Sequence, residues 1–411
     1  MCFHPSPKSS QKDPAASESY RSIAGSSLIL QVFEQCIVLI WGDSLQSDSL
    51  QLGFKKKCST GTATWLVNEV LQHYLRQGSK PIAVVLDCTK AFDKAKFSIL
   101  FGRLLEKIPA VVVRILSYSY REQLAWIRWG RGCTSGTFEI KNGTRQGSVP
   151  SPTFWNIYLN PLIEELRRKG IGCHLAGKFV GVVAYADDLI LLAPNRSAAQ
   201  IMLSICEEFA EKNNIKFSSH VNPSLSKSKA MFVNGMKSHD SRPVPLVLCD
   251  RPLPWVDQCD HLGHKLTTAA SMTTDCRIKR ADFIDKSVKT REFFDFAHPM
   301  EVITANQKYN DSHYGHQLWD LPNQSAGVTF ASWRTNIKLA WSLPRNTKSY
   351  FIDHLLAQQV VSPRVSLLCC FHNFFHQLLE SDSDEVRIIS RIAAWDIINK
   401  FYISKRLNCN F

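Results

Sequence analysis

The chain has 411 residues, of which 45% are hydrophobic and 21% charged, so the composition excludes a disordered polypeptide and predicts two or three structural subdomains. Its 49 lysines and arginines against 36 aspartates and glutamates give a net charge of +13, which is typical of proteins that bind nucleic acid. With no run of 18 apolar residues and no C-x-x-C pair among 13 cysteines, the sequence predicts an intracellular protein without membrane spans or a zinc ribbon.

The first part of the chain consists of a polar N-terminal segment followed by two predicted helices. Residues 1–19 are rich in Ser, Pro, Lys and Ala and are expected to form a flexible lead-in. Apolar residues at 27–41 predict one helix, and helical spacing after the basic loop 55–57 predicts a second helix that ends at Gly78. The lysines of this loop suit either a solvated surface or a phosphate contact, and we favour the phosphate contact.

Carboxylates stand where the next predicted strands end. Residues 81–86 are wholly apolar and predict a buried strand that ends at Asp87. Further along, two apolar arms flank the adjacent pair Asp187 and Asp188, which predicts a hairpin with an acidic turn. Since neighbouring carboxylates repel each other, the pair indicates a bound cation such as Mg²⁺. The alternative is a polar hairpin tip, where aspartate is common.

The remaining elements are predicted from apolar periodicity. Residues 97–105 form a helical stripe before Pro109, and 124–129 with 137–140 predict a hairpin. A polar glycine loop at 142–148 precedes a helix for which Ser151 is the predicted N-cap. Beyond about Lys265, helical and basic segments dominate to the end of the chain.

The spacing of the carboxylates allows one shared site, because a mixed sheet can place the ends of distant strands side by side. Together, Asp87, Asp187 and Asp188 supply carboxylate oxygens that could hold two Mg²⁺ ions about 3.5–4 Å apart, as in polymerases and nucleases. The loop around Gln146 and Gly147, at a helix start, suits close approach of an anionic ligand such as a nucleotide.

Three segments in this order resemble motifs A, B and C of reverse transcriptases, most closely those of non-LTR (LINE-type) retrotransposons. They are residues 86–93 (Leu-Asp-Cys-Thr-Lys-Ala-Phe-Asp), 142–152 (Asn-Gly-Thr-Arg-Gln-Gly-Ser-Val-Pro-Ser-Pro) and 185–188 (Tyr-Ala-Asp-Asp). Further segments resemble other motifs of that family: fingers at 20–23 and 53–55, motif D at 222–223 with 227–229, the primer-grip turn at 261–263, and the region after the palm at 314–315 with 318–319, and 333.

The resemblance implies an α+β right-hand polymerase with a helical C-terminal region. Fingers and palm would occupy residues 20–265, a helical thumb 266–345, and a C-terminal helical segment 346–411. The implied activity is RNA-directed DNA polymerisation onto a DNA 3′ end, with two Mg²⁺ ions or Mn²⁺ in their place. The implied partners are an RNA template, a DNA primer and deoxynucleoside triphosphates, and the implied location is the nucleus. The oligomeric state stays open.

The resemblance also assigns roles to individual residues. Those expected to hold metal are Asp87, Asp187 and Asp188, and those expected to contact substrate are Phe92, Gln146, Gly147, Arg21 and Lys227. Phe92 would exclude a ribose 2′-hydroxyl, because an aromatic ring packs on deoxyribose but clashes with the hydroxyl. Gln146 and Gly147 would line the nucleotide and template. Arg21 would reach the triphosphate, and Lys227 or Lys229 would donate a proton to pyrophosphate.

Several of these residues also have a purely structural interpretation. Phe92 has the alternative of a core position, and Arg21 that of a surface ion pair. Lys227 has the alternative of an ordinary surface lysine. Asp93 is interpreted as a helix N-cap, and the histidines at 261 and 264 as structural residues without a matching cysteine pair for zinc.

Two departures from the family pattern leave a rival function open. The chain begins inside the fingers with no endonuclease ahead of them, which predicts a truncated element copy. Pro150 stands where Leu or Ile is usual and is expected to disturb the nucleotide pocket. The rival is therefore a catalytically inactive RNA-binding relic. An RNA-dependent RNA polymerase is disfavoured by Phe92.

Overall fold

The structure, a computed structural model, describes residues 1–7, 13, 15–16, 19–129, 132–220, 222, 226–233, 244–309, 318, 324–356 and 363–395. The chain forms two units. Unit 1 comprises Met1–Lys55, Pro81–Ala230 and Ser241–Trp255, and unit 2 comprises Lys56–Lys80, Met231–Asp240 and Val256–Phe411. Residues 223, 314–315 and 319 of the motifs predicted above lie outside the described part of the chain.

The strands are mostly short and are concentrated in unit 1. They are β1 (Cys2–Pro7), β2 (Tyr20–Gly25), β3 (Ile82–Asp87), β4 (Leu124–Trp129), β5 (Cys133–Thr134), β6 (Phe138–Glu139), β7 (His174–Leu175), β8 (Lys178–Phe179), β9 (Val182–Tyr185), β10 (Asp188–Ala193), β11 (Lys229–Phe232), β12 (Val247–Leu248), β13 (Arg251–Pro252), β14 (Gln258–His261) and β15 (His264–Thr267).

The helices occur in both units. They are α1 (Leu28–Trp41), α2 (Thr60–Arg76), α3 (Ala91–Lys94), α4 (Phe97–Leu105), α5 (Ala110–Arg121), α6 (Ser151–Lys169), α7 (Arg196–Lys212), α8 (Thr273–Phe293), α9 (Pro299–Tyr309), α10 (Gln324–Ala340), α11 (Ser349–Leu356) and α12 (Pro363–Leu379). Residues 384–395 are also helical. The mixture of helices and sheets confirms the predicted α+β class.

The central sheet of unit 1 has the strand order β11-β3-β10-β9. Strand β10 is antiparallel to both β3 and β9. Its residues from Leu189 to Ala193 are fully buried, as expected for a strand with a continuous apolar run. Helix α7 packs against β10 and β3, and α6 against β9. The sheet and these two helices form the core that supports the acidic turn.

A second sheet of unit 1 has the order β2-β1-β4-β5, with β6 also paired to β4. Strand β1 is antiparallel to β2 and parallel to β4. Residues 2–7, within the predicted lead-in, are thus the middle strand of a sheet that includes the predicted hairpin of 124–129 with 137–140.

Unit 2 is mainly helical, as predicted for the region beyond Lys265. Helix α8 packs against α9, α10 and β15, and α10 also contacts α11 and α12. Their shared core consists of buried apolar side chains, namely Phe283, Ile303, Trp333, Ile337 and Ile352. The hairpin of β14 and β15 turns at Leu262 and Gly263, both with positive φ, which is the backbone that a tight two-residue hairpin requires.

Two details around prolines differ from the sequence-based expectation. Helix α5 was not predicted, because Pro109 was taken as the end of a helix, whereas it is the N-cap residue from which α5 begins. The prediction of Ser151 as an N-cap was wrong, since Pro150 holds that position and no side chain caps α6. The missing N–H of Pro150 removes no bond within α6, because the first N–H groups of a helix have no intrahelical acceptor.

No helix in the described residues is long and apolar enough to span a membrane. Each cysteine in the same residues is a free thiol.

Candidate active site

The predicted acidic hairpin is formed by β9 and β10. Tyr185 pairs with Asp188, so Ala186 and Asp187 make up a two-residue turn. Ala186 has a φ of 58°, in the left-handed region. For a residue with a Cβ this conformation costs about 1–2 kcal/mol, so other contacts must hold the turn in place.

The third carboxylate lies across the sheet from this turn. In the pairing of β10 with β3, Asp188 is directly opposite Asp87, which is the last residue of its strand. The backbone N–H of Asp87 donates to Ser228 Oγ at 3.2 Å, and its carbonyl accepts from Ser218 N at 2.8 Å. The structure thus brings Asp87, Asp187 and Asp188 together at one sheet edge.

The electrostatics of these carboxylates are unfavourable without a cation. Burial, then Asp187 and then Asp87, raise the pKa of Asp188 to about 6. The pKa of Asp187 is also raised, chiefly by burial and further by Asp87, although its own backbone N–H and Arg21 oppose the rise. Within the described residues, neither Asp187 nor Asp188 has a salt-bridge partner. Lys227 Nζ lies 3.8 Å from Asp87 Oδ2, but its side chain is 70% exposed and neutralises little of the charge.

The donor set fits a hard divalent cation. Carboxylate oxygens are the ligands that Mg²⁺ prefers, and Mg²⁺ is usually held by one or two carboxylates plus waters and substrate phosphates. In the described part of the chain, no group of three His, Cys, Asp or Glu side chains forms a ready metal cage. A cation held by these carboxylates would therefore need further ligands, such as waters or substrate phosphates.

The loop at 145–147 packs on strand β2. Ala24 N donates to Gln146 O at 2.7 Å, and Gly147 has a φ of 102°. A Cβ at Gly147 would lie 3.1 Å from Ala24 O, so glycine is favoured by both the backbone conformation and the space. The Gln146 side chain donates from Nε2 to Asp93 Oδ1 at 3.1 Å. The prediction of Asp93 as an N-cap was wrong, since Lys90 has that position in α3.

A buried ion pair anchors the same loop. Arg145 Nη1 donates to Glu34 Oε1 at 3.0 Å, with side-chain exposures of 3% and 0%. The Arg145 guanidinium also lies 3.9 Å from the ring centre of Tyr120, and Ser148 Oγ donates to Glu34 Oε2 at 2.7 Å. Sequence reasoning missed Glu34 because it treated α1 as an apolar helix. A glutamate in the middle of an apolar run is the signal that points to a buried partner.

Phe92 is fixed beside the loop by backbone contacts. Its carbonyl accepts from Thr144 N at 2.6 Å, and a Cβ at Gly143 would lie 2.9 Å from the same oxygen. The ring is half-buried, and its centre lies 5.4 Å from that of the fully buried Trp155. Phe92 therefore packs against the core without being fully covered by it.

The lysines and the arginine that were predicted to contact phosphate differ in their surroundings. Arg21 is exposed on β2 and is near enough to Asp187 to lower the pKa of that carboxyl. Lys55 Nζ donates to the carbonyls of Ser47 and Asp48, at 2.9 and 2.6 Å, which ties the ammonium to its own loop. Lys57 forms an ion pair with Glu380 within unit 2. Arg21 is thus the predicted phosphate ligand that faces the carboxylates in unit 1.

Three carboxylates at the end of the β3, β10 and β9 pairing are a donor set of the kind that polymerases use for nucleotidyl transfer. The chain belongs to the family described as reverse transcriptase (RNA-dependent DNA polymerase), whose model matches residues 7–266. Membership of this family confirms the resemblance to reverse transcriptases that the three motifs predicted.

The curated relatives are retrotransposon proteins. This chain is 24% identical over 193 residues to the Pol polyprotein of the type-2 retrotransposable element R2DM of Drosophila melanogaster, covering 47% of the chain and 18% of the relative. It is 24% identical over 215 residues to the R2 Pol polyprotein of Nasonia vitripennis, covering 50% and 20%. These R2 relatives confirm the predicted resemblance to non-LTR retrotransposons. The chain spans about a fifth of their length.

Among solved structures, telomerase from Candida albicans, in complex with a TWJ fragment of telomeric RNA, is a similar chain. The alignment covers 95% of this chain and 64% of that chain, with 11% sequence identity and a TM-score of 0.42. A likeness at this level carries no conclusion about substrate or partner.

Proposed function

We propose that this chain catalyses RNA-templated addition of deoxynucleotides to the 3′ end of a DNA primer. The observation that carries the proposal is the register of the central sheet, in which Asp188 lies opposite Asp87 and Asp187 occupies the adjoining turn. In nucleotidyl transfer the primer 3′-hydroxyl attacks the α-phosphate of the nucleotide and pyrophosphate leaves. A polymerase therefore needs closely spaced oxygen donors on a rigid support, so that metal ions lie next to both the attacking and the leaving oxygen.

In this proposal Asp87, Asp187 and Asp188 hold two divalent ions, Mg²⁺ or in its place Mn²⁺. When bound, such ions supply activation of the 3′-hydroxyl and neutralisation of charge on the phosphates. The raised pKa values of Asp187 and Asp188 support this assignment, because a bound cation would offset both the burial and the neighbouring negative charges that raise them.

The remaining predicted residues act on the nucleotide. The exposed guanidinium of Arg21 binds the triphosphate, and Gln146 with Gly147 lines the pocket for nucleotide and template. Phe92 packs on the deoxyribose and excludes the 2′-hydroxyl, a role supported by its half-buried ring. Lys227 donates a proton to the leaving pyrophosphate, and its ammonium lies 3.8 Å from Asp87.

The proposal also covers the template, the primer, the cellular location and the functional regions of the chain. The template is RNA, and the excess of lysine and arginine favours binding of its phosphate backbone. The primer is chromosomal DNA, so the protein acts in the nucleus. Fingers and palm at 20–265, a thumb at 266–345 and a C-terminal segment at 346–411 remain the proposed functional division.

Primer extension on a poly(A) template with an oligo(dT) primer and Mg²⁺ tests the function. We expect extension by the wild-type chain and its loss, by a factor of about 10³ or more, in Asp187→Asn. Asp43→Asn, a change at an exposed aspartate, is the matched control and should extend normally. Salt-sensitive RNA binding without extension by the folded wild-type chain would contradict the proposal and favour the inactive RNA-binding relic.

A further inference from the structure

The turn that carries Asp187 depends on a residue far away in the sequence. The side chain of Gln51 is fully buried, and it contacts the backbone of Ala186 twice. Its Oε1 accepts from Ala186 N at 2.9 Å, and its Nε2 donates to Ala186 O at 3.2 Å. Both hydrogen-bonding groups of the left-handed turn residue are therefore satisfied by one amide.

The backbone around Gln51 is held in register with strand β9. Leu52 N donates to Ala184 O at 2.8 Å, and Ala184 N donates to Leu50 O at 2.9 Å. Gln51 Oε1 also accepts from Gly53 N at 3.0 Å. These bonds fix the position from which the amide reaches Ala186.

Gly53 also packs directly against the backbone of Ala186. A Cβ at Gly53 would lie 2.4 Å from Ala186 N, a distance that real Cβ atoms do not show. Asn156 Nδ2 donates to Gly53 O at 2.8 Å, which links this segment to helix α6. Segment 50–53 thus packs directly against the turn and leaves no room for a side chain at Gly53.

We propose that Gln51 is a positioning residue that holds Ala186 in the left-handed conformation and thereby sets the directions of the Asp187 and Asp188 carboxylates. This inference rests on the proposed polymerase function for its catalytic consequence. Of the common side chains of this size, only glutamine accepts from two N–H groups and donates to a carbonyl at once. Glutamate has the same shape but no donor for Ala186 O, and methionine has neither donor nor strong acceptor.

A matched control exists in the same unit. Gln200 on α7 makes the same two-bond contact with Val247, donating from Nε2 to Val247 O and accepting from Val247 N, each at 2.9 Å. It touches neither the turn nor a predicted site residue. A change at Gln200 therefore removes the same pair of hydrogen bonds at an exposed contact, and we expect it to leave the carboxylates in place.

The first test is steady-state primer extension by Gln51→Met, Gln51→Glu and Gln200→Met. We expect kcat to fall about 100-fold in both Gln51 variants, with the KM for primer-template changed less than threefold, because only the reacting geometry is altered. The Mg²⁺ concentration for half-maximal rate should rise in both. Gln200→Met should keep wild-type kcat. An unchanged kcat in folded Gln51→Met, or an equal loss in Gln200→Met, would overturn the proposal.

A second test does not depend on activity. Amide hydrogen exchange of the peptide that spans residues 182–190 should be at least tenfold faster in Gln51→Met than in the wild type or Gln200→Met. If the wild-type chain shows no polymerase activity, the proposed function fails while the exchange result still decides whether Gln51 holds the turn. Equal exchange in all three proteins would show that it does not.

Discussion

Asp188 and Asp87 face each other across the β10–β3 pairing, and burial with the neighbouring charges raises the pKa of Asp188 to about 6. The folded pKa is thus higher than the value of about 3.9 for an unfolded chain, so ionisation of Asp188 destabilises the fold as pH rises through 6. The carboxylates that suit metal binding weaken the metal-free protein.

Asp188→Asn should therefore stabilise the metal-free chain at pH 7.5 while removing activity. We expect a gain of about 1 kcal/mol in the free energy of unfolding, a reduced value because the carboxylate is partly exposed and screened. Urea denaturation at pH 7.5 and pH 5 measures it, and the gain should shrink at pH 5, where the carboxyl is protonated. Millimolar Mg²⁺ should stabilise the wild type more than the variant. A loss of stability in metal-free Asp188→Asn would contradict this prediction.

Phe92→Val should relax the choice of sugar. Removing the ring opens space for a 2′-hydroxyl, so the ratio of ribonucleotide to deoxynucleotide kcat/KM should rise by about 10- to 100-fold. Single-nucleotide incorporation kinetics measure this ratio. Phe209→Val, a change at another half-buried phenylalanine of unit 1, on α7, is the control and should leave the ratio unchanged. A ratio that stays constant in Phe92→Val would assign the ring to packing against Trp155 alone.

Glu34 and Arg145 should be strongly coupled in stability. Removing one partner leaves a buried charge without compensation, so Glu34→Gln and Arg145→Met should each cost about 3–5 kcal/mol. The double variant should cost less than the sum of the two, because the second change removes the charge left by the first. Chemical denaturation of the four proteins gives the interaction energy. Additive losses would show that the two side chains act independently.

His261 should make unit 2 sensitive to acid. Burial, then the nearby His264, lower the pKa of His261 to about 4. An unfolded histidine has a pKa of about 6.5, so the unfolded state binds the proton first as the pH falls. The free energy of unfolding should thus fall between pH 6.5 and 4, by on the order of 3 kcal/mol.

Urea denaturation of wild type and His261→Gln at pH 7, 5.5 and 4.5 checks this dependence. The variant should lose less stability on acidification, and the change at exposed His220 to glutamine should behave like the wild type. Parallel losses in all three proteins would assign the acid sensitivity to other groups. Asp275 is not one of them: although burial opposes the shift, hydrogen bonding from His264 and the charge of Lys279 lower its pKa, so its protonation acts below the measured pH range.

The local features of the site were predictable from sequence, because they depend on short-range patterns. Apolar arms around the Asp187 pair defined the hairpin, and the continuous apolar strand before Asp87 defined its partner. Their spatial meeting followed from the rule that strand ends share a sheet edge. The sequence left open whether Phe92 contacts the sugar or only packs in the core, and its half-buried position is compatible with both.

The supports of the site were not predictable in the same way, because they join residues far apart in the chain. Arg145 and Glu34 are 111 residues apart, and Gln51 and Ala186 are 135 apart. In the sequence, Glu34 and Gln51 are visible only as polar residues in or beside apolar segments. The identity of its partner depends on tertiary packing, which periodicity and turn chemistry do not specify.

The pairing of β10 with β3 runs without interruption from Asp188–Asp87 to Ala193–Ile82. Because side chains alternate between the two faces of a strand, a slip of one residue would send every buried side chain of β10 to the opposite face. The apolar pairs of β10 with β3 therefore fix the alignment of Asp188 with Asp87. The two aspartates are either aligned or displaced by at least one residue. Weakening the ladder should reduce the fraction of molecules that are active, while each molecule that remains folded keeps its full rate.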